Sequence, residues 1–375
     1  MIENPFILRP YLSKDLFCDR EKELAELLSY IENGRNITLI SPRRLGKTGL
    51  IFRAFDELRT NYDNYDTYYV DISSTSSLDS FIKLLAESIA GKLKKSPLKR
   101  FLSVLGGIRP LISYNTITGA PEIIFTFRSE DEKRTTLKVL LEYLENGAKK
   151  AVLAIDEFQQ IREYNGVNME ATLRTYIQNM HNVCFIFCGS KKHVMIDMFS
   201  NAKKPFYDST TSLPLGKLDP VIYAAFIKKQ FADRNKQIDD DIVRFIINWT
   251  KDHTFYTQSL CNEVFRIGKG IITMQTTLDA IQNLLVYNLD RFLEIKRLVS
   301  DGQWKLLHAI ACEGKVSQPT SAAFIRKYGL TSGSSVLKTL NSLIDKELVL
   351  AETNLAGTSY SVYNVFLSRY LEILQ

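Results

Sequence analysis

Five stretches of the chain are continuously apolar rather than alternating: "ITLIS" (37–41), "TYYVDIS" (67–73), "AVLAIDEF" (151–158), "VCFIFCGS" (183–190) and "TSLPLGKL" (211–218). Runs of this kind mark strands buried on both faces, as in a parallel sheet. Stretches of helical periodicity lie between them, which predicts a doubly wound α/β core. One segment interrupts the alternation. "RPLISYNTITGAPEIIFTF" (109–127) carries two β-rich runs around Thr-Gly-Ala-Pro and reads as an inserted hairpin.

After Asp219-Pro220 the β signal stops. Four amphipathic segments at helical spacing follow, from "PVIYAAFIKKQFADRN" to "TLDAIQNLLVYNLDRFLEIKRLV", and predict a helical region over 219–298. From Asp301 the pattern becomes three helices ("GQWKLLHAIACEG", "SAAFIRKYGL", "SGSSVLKTLNSLIDKELV") and then "VLAETNLAGTSYSVYN", a strand–turn–strand with a glycine at the turn. Three helices and a β-wing predict a winged-helix arrangement. The expected domains are therefore 1–218, 219–298 and 299–375.

Composition narrows the class. The 375 residues are 45% hydrophobic and 24% charged, enough to bury a core in each domain. No apolar run approaches the ~20 residues that span a bilayer, and the start "MIENPFILRPYLSKD" lacks a signal-peptide plan. The five cysteines (Cys18, Cys184, Cys188, Cys261, Cys312) form neither a C-x-x-C pair nor a Cys/His cluster, which fits a reducing, cytoplasmic compartment without structural zinc. A formal charge of +6 permits nucleic acid as a partner without requiring it.

The chemistry sits at strand ends. "SPRRLGKT" follows the first buried strand and precedes the helical "TGLIFRAFDELR", the context that a phosphate-binding loop needs. Ser41, Pro42, Arg43, Arg44, Leu45, Gly46, Lys47, Thr48 and Gly49 are the candidate phosphate-loop residues. Gly46 allows close backbone approach, Lys47 reaches the β- and γ-phosphates, and Thr48 offers a hydroxyl to Mg²⁺. Ser41 stands where the pattern has its first glycine; it stores strain only if that position needs a positive φ. "AVLAIDEF" is an apolar strand ending in two carboxylates. Asp156 is the expected Mg²⁺ partner opposite Thr48, and Glu157 the general base or water-positioning group. Ser190, at the end of the next strand, has two readings: a polar contact beside Glu157, or the N-cap of the helix that follows.

These residues resemble the archaeal-type, STAND-like ATPases of the AAA+ superfamily, related to origin-recognition-type initiator ATPases. The resemblance runs over nearly the whole chain. It rests on Asn4-Pro5-Phe6 followed by Phe17-Cys18-Asp19-Arg20-Glu21-Lys22-Glu23-Leu24, on a loop similar to G-P-R-R-x-G-K-T, and on the paired carboxylates. It implies an α/β P-loop NTPase core with an AAA+-like parallel sheet, a helical lid and a C-terminal winged-helix domain. It also implies ATP with Mg²⁺ as ligands, and Phe17 and Arg20 near the base. Read without the family, Asp19 is the cap of an ordinary helix; within it, Asp19 replaces a glycine. The lid turn reads Asp252-His253-Thr254-Phe255-Tyr256, with Tyr256 a weak nucleotide-contact candidate.

The family's arginine after a Pro-Leu-Tyr-Gly stretch has no counterpart behind Pro205-Phe206-Tyr207. Slow basal hydrolysis is therefore expected, or an arginine finger from a partner; Arg162 and Arg174 are substitutes that the sequence does not choose between. The resemblance implies a nucleotide-dependent switch more than a metabolic enzyme. Two alternatives stay open: a non-hydrolysing nucleotide-binding regulatory module, and a DNA-associated initiator-like protein. Residues 301–375 hold seven Lys/Arg against six Asp/Glu, a net of +1, so the winged helix is read as meeting either a protein partner or duplex DNA through Ser334, Ser335, Lys338, Thr339 and Asn341. "KLKKSPLKR" (92–100) is a second basic cluster, solvated or phosphate-binding.

Overall fold

The computed structural model describes residues 3–9, 11–93, 98, 101–103, 105, 111–114, 121–166, 168–355 and 357–374. Lys94, Lys95, Lys99 and Arg100 of the basic cluster and the 115–120 turn of the hairpin lie outside the described residues. The chain forms two compact units, Arg9–Lys217 and, together, Met1–Leu8 with Leu218–Gln375.

The first unit runs α1 (Glu21–Glu32), β1 (Ile37–Ile40), α2 (Lys47–Asn61), β2 (Tyr65–Asp71), α3 (Leu78–Ala90), β3 (Leu111–Tyr114), β4 (Pro121–Ile124), α4 (Glu130–Glu145), β5 (Lys150–Asp156), α5 (Met169–Ile177), β6 (Val183–Gly189), α6 (Lys192–Ser200) and β7 (Thr211–Pro214). All five expected strands join one parallel sheet in the order β2-β5-β6-β1-β7. Helices α1 and α2 cover one face, packing Leu27, Leu50 and Phe55 on Leu39, Ala154 and Ile186. Helices α3 to α6 cover the other, with Phe81, Leu140 and Met195 on Leu153, Ile155 and Phe187. Every residue of β6 is buried, which is why its sequence is apolar without alternation. Pro214 is tolerated because β7 is an edge strand, where a missing N–H breaks no inner ladder. The expected hairpin is present: β3 and β4 pair antiparallel, Leu111 opposite Ile124 and Tyr114 opposite Pro121.

The second unit holds α7 (Pro220–Ala232), α8 (Asp240–Trp249), α9 (Thr254–Ile267), α10 (Met274–Tyr287) and α11 (Leu289–Leu298). Asp219 caps α7 by accepting from the N–H groups of Val221 and Ile222, with Pro220 at the first helical position. The region is not purely helical: β8 (Gln237–Ile238) and β9 (Ile271–Ile272) form a two-residue parallel pair, too short to leave a period. Then come α12 (Asp301–Glu313), α13 (Ala322–Lys327), α14 (Gly333–Asp345), the wing β10 (Val349–Asn354) and β11 (Gly357–Val362), and a closing α15 (Val365–Ile373). Helical region and winged helix share a core in which Tyr256 and Phe292 pack with Leu307, Leu340 and Leu367.

The amino terminus belongs to this second unit. Phe6 is fully buried, its ring 5.0 Å from Phe231 and 6.2 Å from Phe265. The Asn4 amide donates to the Asn262 carbonyl (2.9 Å), and the Asn262 amide donates to that of Phe6 (2.7 Å). Asn4-Pro5-Phe6 is thus a packing anchor in a different unit from Phe17 and Arg20. Among the described residues no helix is long and apolar enough to cross a membrane.

Candidate functional site

Strand β1 delivers the chain into a loop, 41–46, whose backbone is left-handed at Arg44 (φ 67°) and Gly46 (φ 100°). Ser41 is not among the residues of positive φ, so the missing first glycine costs no backbone strain. Its side chain is buried, its Oγ donates to the Pro42 carbonyl (3.1 Å), and its N–H approaches the Gly189 carbonyl (3.5 Å). Gly46 opens α2. Among the described residues no side chain caps that helix and no acid lies in its first turn, so its leading N–H groups are left as donors for an anion. Leu45 and Gly49 are buried beneath the loop.

The Lys47 amine donates to the carbonyls of Ser41 (2.9 Å) and Pro42 (3.2 Å) while the residue is only 5% exposed. Burial holds it below the ordinary lysine range, and the negative charges of Asp156 and Glu157 partly oppose that pull. A desolvated cation at a helix N-terminus is a site that an anion stabilises.

Asp156 ends β5, and its carboxylate collects three donors. The Thr48 hydroxyl and the Tyr69 phenol each donate to Oδ2 at 2.8 Å, and the Glu157 N–H donates to Oδ1 at 2.9 Å. At Glu157 the strand breaks into a left-handed residue (φ 54°, ψ 41°) and then a 3₁₀ turn, Phe158–Glu163. A non-glycine residue in that region stores roughly 1–3 kcal/mol, tolerated where the surroundings over-determine the backbone.

The Glu157 carboxylate is held on Oε2 by the Ser190 hydroxyl (2.6 Å) and by the Gln159 side-chain amide. Arg43 Nε in turn donates to Ser190 Oγ (3.3 Å). Ser190 is therefore not the cap of α6; Lys191 holds that position. This is a consequence of strand order: β6 lies between β1 and β5, so its end meets both the loop and the carboxylates. Sequence reasoning missed Gln159 and Tyr69. The signal for Gln159 was Gly189, where a Cβ would come within 2.5 Å of Gln159 Oε1 and of Met195. Tyr69 left no signal, because its partner lies 87 residues away on the neighbouring strand.

Arg20 sits behind the loop. The Arg20 guanidinium donates to the Gly216 carbonyl (2.6 Å), the Leu45 carbonyl (3.3 Å) and Glu23 (2.7 Å), with the residue 3% exposed. These bonds commit it to bracing the loop. Asp19 is not the cap of α1, since Arg20 occupies that position; both are left-handed, Asp19 at φ 56° where the family's glycine was expected. Phe17 is half-buried, its ring edge-on to Tyr11 at 5.7 Å. Arg162 is engaged elsewhere: Glu170 and Asp197 each hold it at 2.7 Å. Phe206 is buried among Phe158, Phe187 and Phe199. Tyr256 is likewise core, 2% exposed with its ring 4.8 Å from Phe366, which overturns the reading of it as a nucleotide contact.

A strand–loop–helix with an uncapped helix start and buried lysine, in a parallel sheet of this order, defines a P-loop ATPase fold. The chain belongs to the family described as "ATPase domain predominantly from Archaea", which it matches over residues 17–250. Residues 290–373 match a "probable winged helix domain". Among solved structures, the chain is similar to the Walker-type ATPase PABY2304 of Pyrococcus abyssi, with 20% identity, a TM-score of 0.67 and coverage of 98% of this chain and 100% of that one. It is similar to the ORC2 protein of Aeropyrum pernix, at 13% identity and a TM-score of 0.59, covering 98% and 95%. The ORC1 protein of the same organism, solved in complex with DNA, gives 13% identity and 0.55 over 98% and 96%. No curated protein matches the chain in sequence.

Proposed function

We propose that the ATPase binds Mg²⁺-ATP and hydrolyses it slowly, its product being a change of nucleotide state more than a flux of phosphate. The observation that carries this reading is the 2.8 Å bond from Thr48 to Asp156 beside the buried Lys47 amine. A hydroxyl and a carboxylate brought together are hard oxygen donors, which fit Mg²⁺. When bound, the ion neutralises charge on the phosphate oxygens. The chain's own residues do the rest. Helix α2 and Lys47 bind the phosphates, Thr48 and Asp156 hold the ion, and Glu157, steadied by Ser190 and Gln159, accepts a proton from the attacking water.

Slow turnover is supported by the pairing of Arg162 with two carboxylates, since an arginine finger contributes ~10³–10⁵ in rate. The winged helix is proposed to meet a protein partner. Of its seven Lys/Arg, Lys315, Lys327 and Arg369 are already paired with Glu352, Glu313 and Glu372, which leaves a weak field for a phosphate backbone.

The test is ATP turnover by the wild-type chain beside Lys47→Ala and Glu157→Gln, with and without duplex DNA. Hydrolysis below ~1 s⁻¹ that disappears in both variants supports the reading. Faster turnover overturns the slow switch, and salt-sensitive stimulation by duplex overturns the protein-partner assignment.

A further inference from the structure

Tyr69 belongs to none of the motifs, yet its phenol touches the carboxylate on which the site turns. It stands on β2, whose register against β5 sets Tyr69 beside Ala154 and Asp71 beside Asp156. The side chain leans along the sheet and donates to Asp156 Oδ2 at 2.8 Å, the oxygen that also accepts from Thr48. The ring rests on Phe52 of α2, centroids 4.8 Å apart, and the Tyr69 carbonyl accepts from the Ser88 hydroxyl of α3 (3.1 Å). The ring is thus held by the loop helix on one face of the sheet, and the backbone that carries it by α3 on the other.

A carboxylate offers about four lone-pair sites. Among the described residues Thr48, Tyr69 and the Glu157 N–H fill three of those on Asp156, and the fourth, on Oδ1, is what a cation or its water can use. The Thr48 oxygen is itself wanted by the ion, so its bond to Asp156 shares its geometry with ligation. The bond from Tyr69 does not.

We propose that Tyr69 is a positioning residue for divalent-cation binding: it holds the Asp156 carboxylate in its rotamer through its own bond to Oδ2, so that the nucleotide-bound cation meets a preset acceptor. The proposal rests on the Mg²⁺-ATP reading above. Partners of metal-holding groups that touch no metal themselves typically change affinity by about 10–100-fold when removed.

The experiment measures binding of a fluorescent ADP to the full-length chain, in Mg²⁺ and in EDTA, for wild type, Tyr69→Phe and Asp156→Ala. Melting of each nucleotide-free protein is followed in parallel. Tyr69→Phe is expected to cut the Mg²⁺-dependent gain in affinity by about tenfold, with EDTA affinity and the nucleotide-free melting temperature near wild type. It should also move the midpoint of a Mg²⁺ titration at saturating ADP to higher concentration. An unchanged Mg²⁺ gain overturns the proposal. Equal losses in Mg²⁺ and EDTA also overturn it, because they would make Tyr69 a structural prop of the loop. A wild-type protein that binds ADP with no Mg²⁺ gain, unaltered by Asp156→Ala, removes the metal reading and the role of Tyr69 together. A gain that Asp156→Ala abolishes and Tyr69→Phe spares sinks the role of Tyr69 alone.

Discussion

The hydroxyl of Thr48 donates to Oδ2 of Asp156 at 2.8 Å, across 108 positions of sequence. Helix α2 supplies one partner and β5 the other, although β6 lies between β5 and β1, the strand that delivers the loop. The contact joins the phosphate loop to the strand-end carboxylates. Thr48→Val keeps the β-branched shape and removes the donor. In Mg²⁺, its ADP affinity is expected to fall by about 10–100-fold, with little change in EDTA, as read by calorimetric titration.

Lys47 carries a buried charge whose acceptors among the described residues are two carbonyls. Replacing it with methionine removes a desolvation cost but orphans those carbonyls, and the two effects are of similar size, about 1–3 kcal/mol each. The ligand-free Lys47→Met protein should therefore melt close to wild type. Its ATP-induced rise in melting temperature should vanish, so that fold and function separate in one scan.

Glu157 allows backbone and carboxylate to be tested apart. Glu157→Gln should retain ATP binding and lose about 10²–10⁴ in turnover. Glu157→Gly and Glu157→Ala both lose the carboxylate, but at φ 54° glycine avoids a penalty that alanine keeps. The glycine variant is expected to be more stable by about 1–2 kcal/mol in denaturant unfolding, and equal stabilities would contradict a left-handed residue there.

Ser41 and Gly46 make a second pair. Ser41→Gly should leave nucleotide affinity within a few-fold of wild type and lower stability by ~0.5–1 kcal/mol, since the serine is unstrained and glycine has more freedom to lose. At Gly46, with φ 100° and open space around a built Cβ, alanine meets no clash but does meet torsional strain. Gly46→Ala is expected to weaken ATP binding far more than Ser41→Gly, as measured by equilibrium titration.

The buried thiols predict a pH effect. Burial pushes Cys184 up to about 12, and its Sγ donates to the Arg35 carbonyl at 3.1 Å. The folded-state value lies above the unfolded one, so this contribution is complete below the ordinary thiol range and is lost as pH rises through it toward about 12. Thiol labelling followed by mass spectrometry should find exposed Cys312 modified first, and Cys184, Cys188 and Cys261 only after unfolding.

Local pattern was enough for much of this. The five apolar runs determined five strands, because a strand buried on both faces must be apolar at successive positions. Asp219-Pro220 determined a helix start, because an acid cap and a fixed φ act within one turn. Gly46-Lys47-Thr48 marked the loop between β1 and α2 for the same local reason. What only the tertiary structure decided depends on strand order and on which unit a segment joins. β6 beside β5 makes Ser190 a partner of Glu157 instead of a helix cap. β2 on the other flank brings Tyr69 to Asp156, and the bracing of Leu45 by Arg20 appears only when residues far apart in sequence share one loop. Asn4-Pro5-Phe6, written beside Phe17 and Arg20, packs into the helical unit through Phe231 and Phe265. Periodicity records which face of an element is buried. It carries no record of what buries it, and hydrogen bonds spanning 25 to 108 residues are set by that second fact.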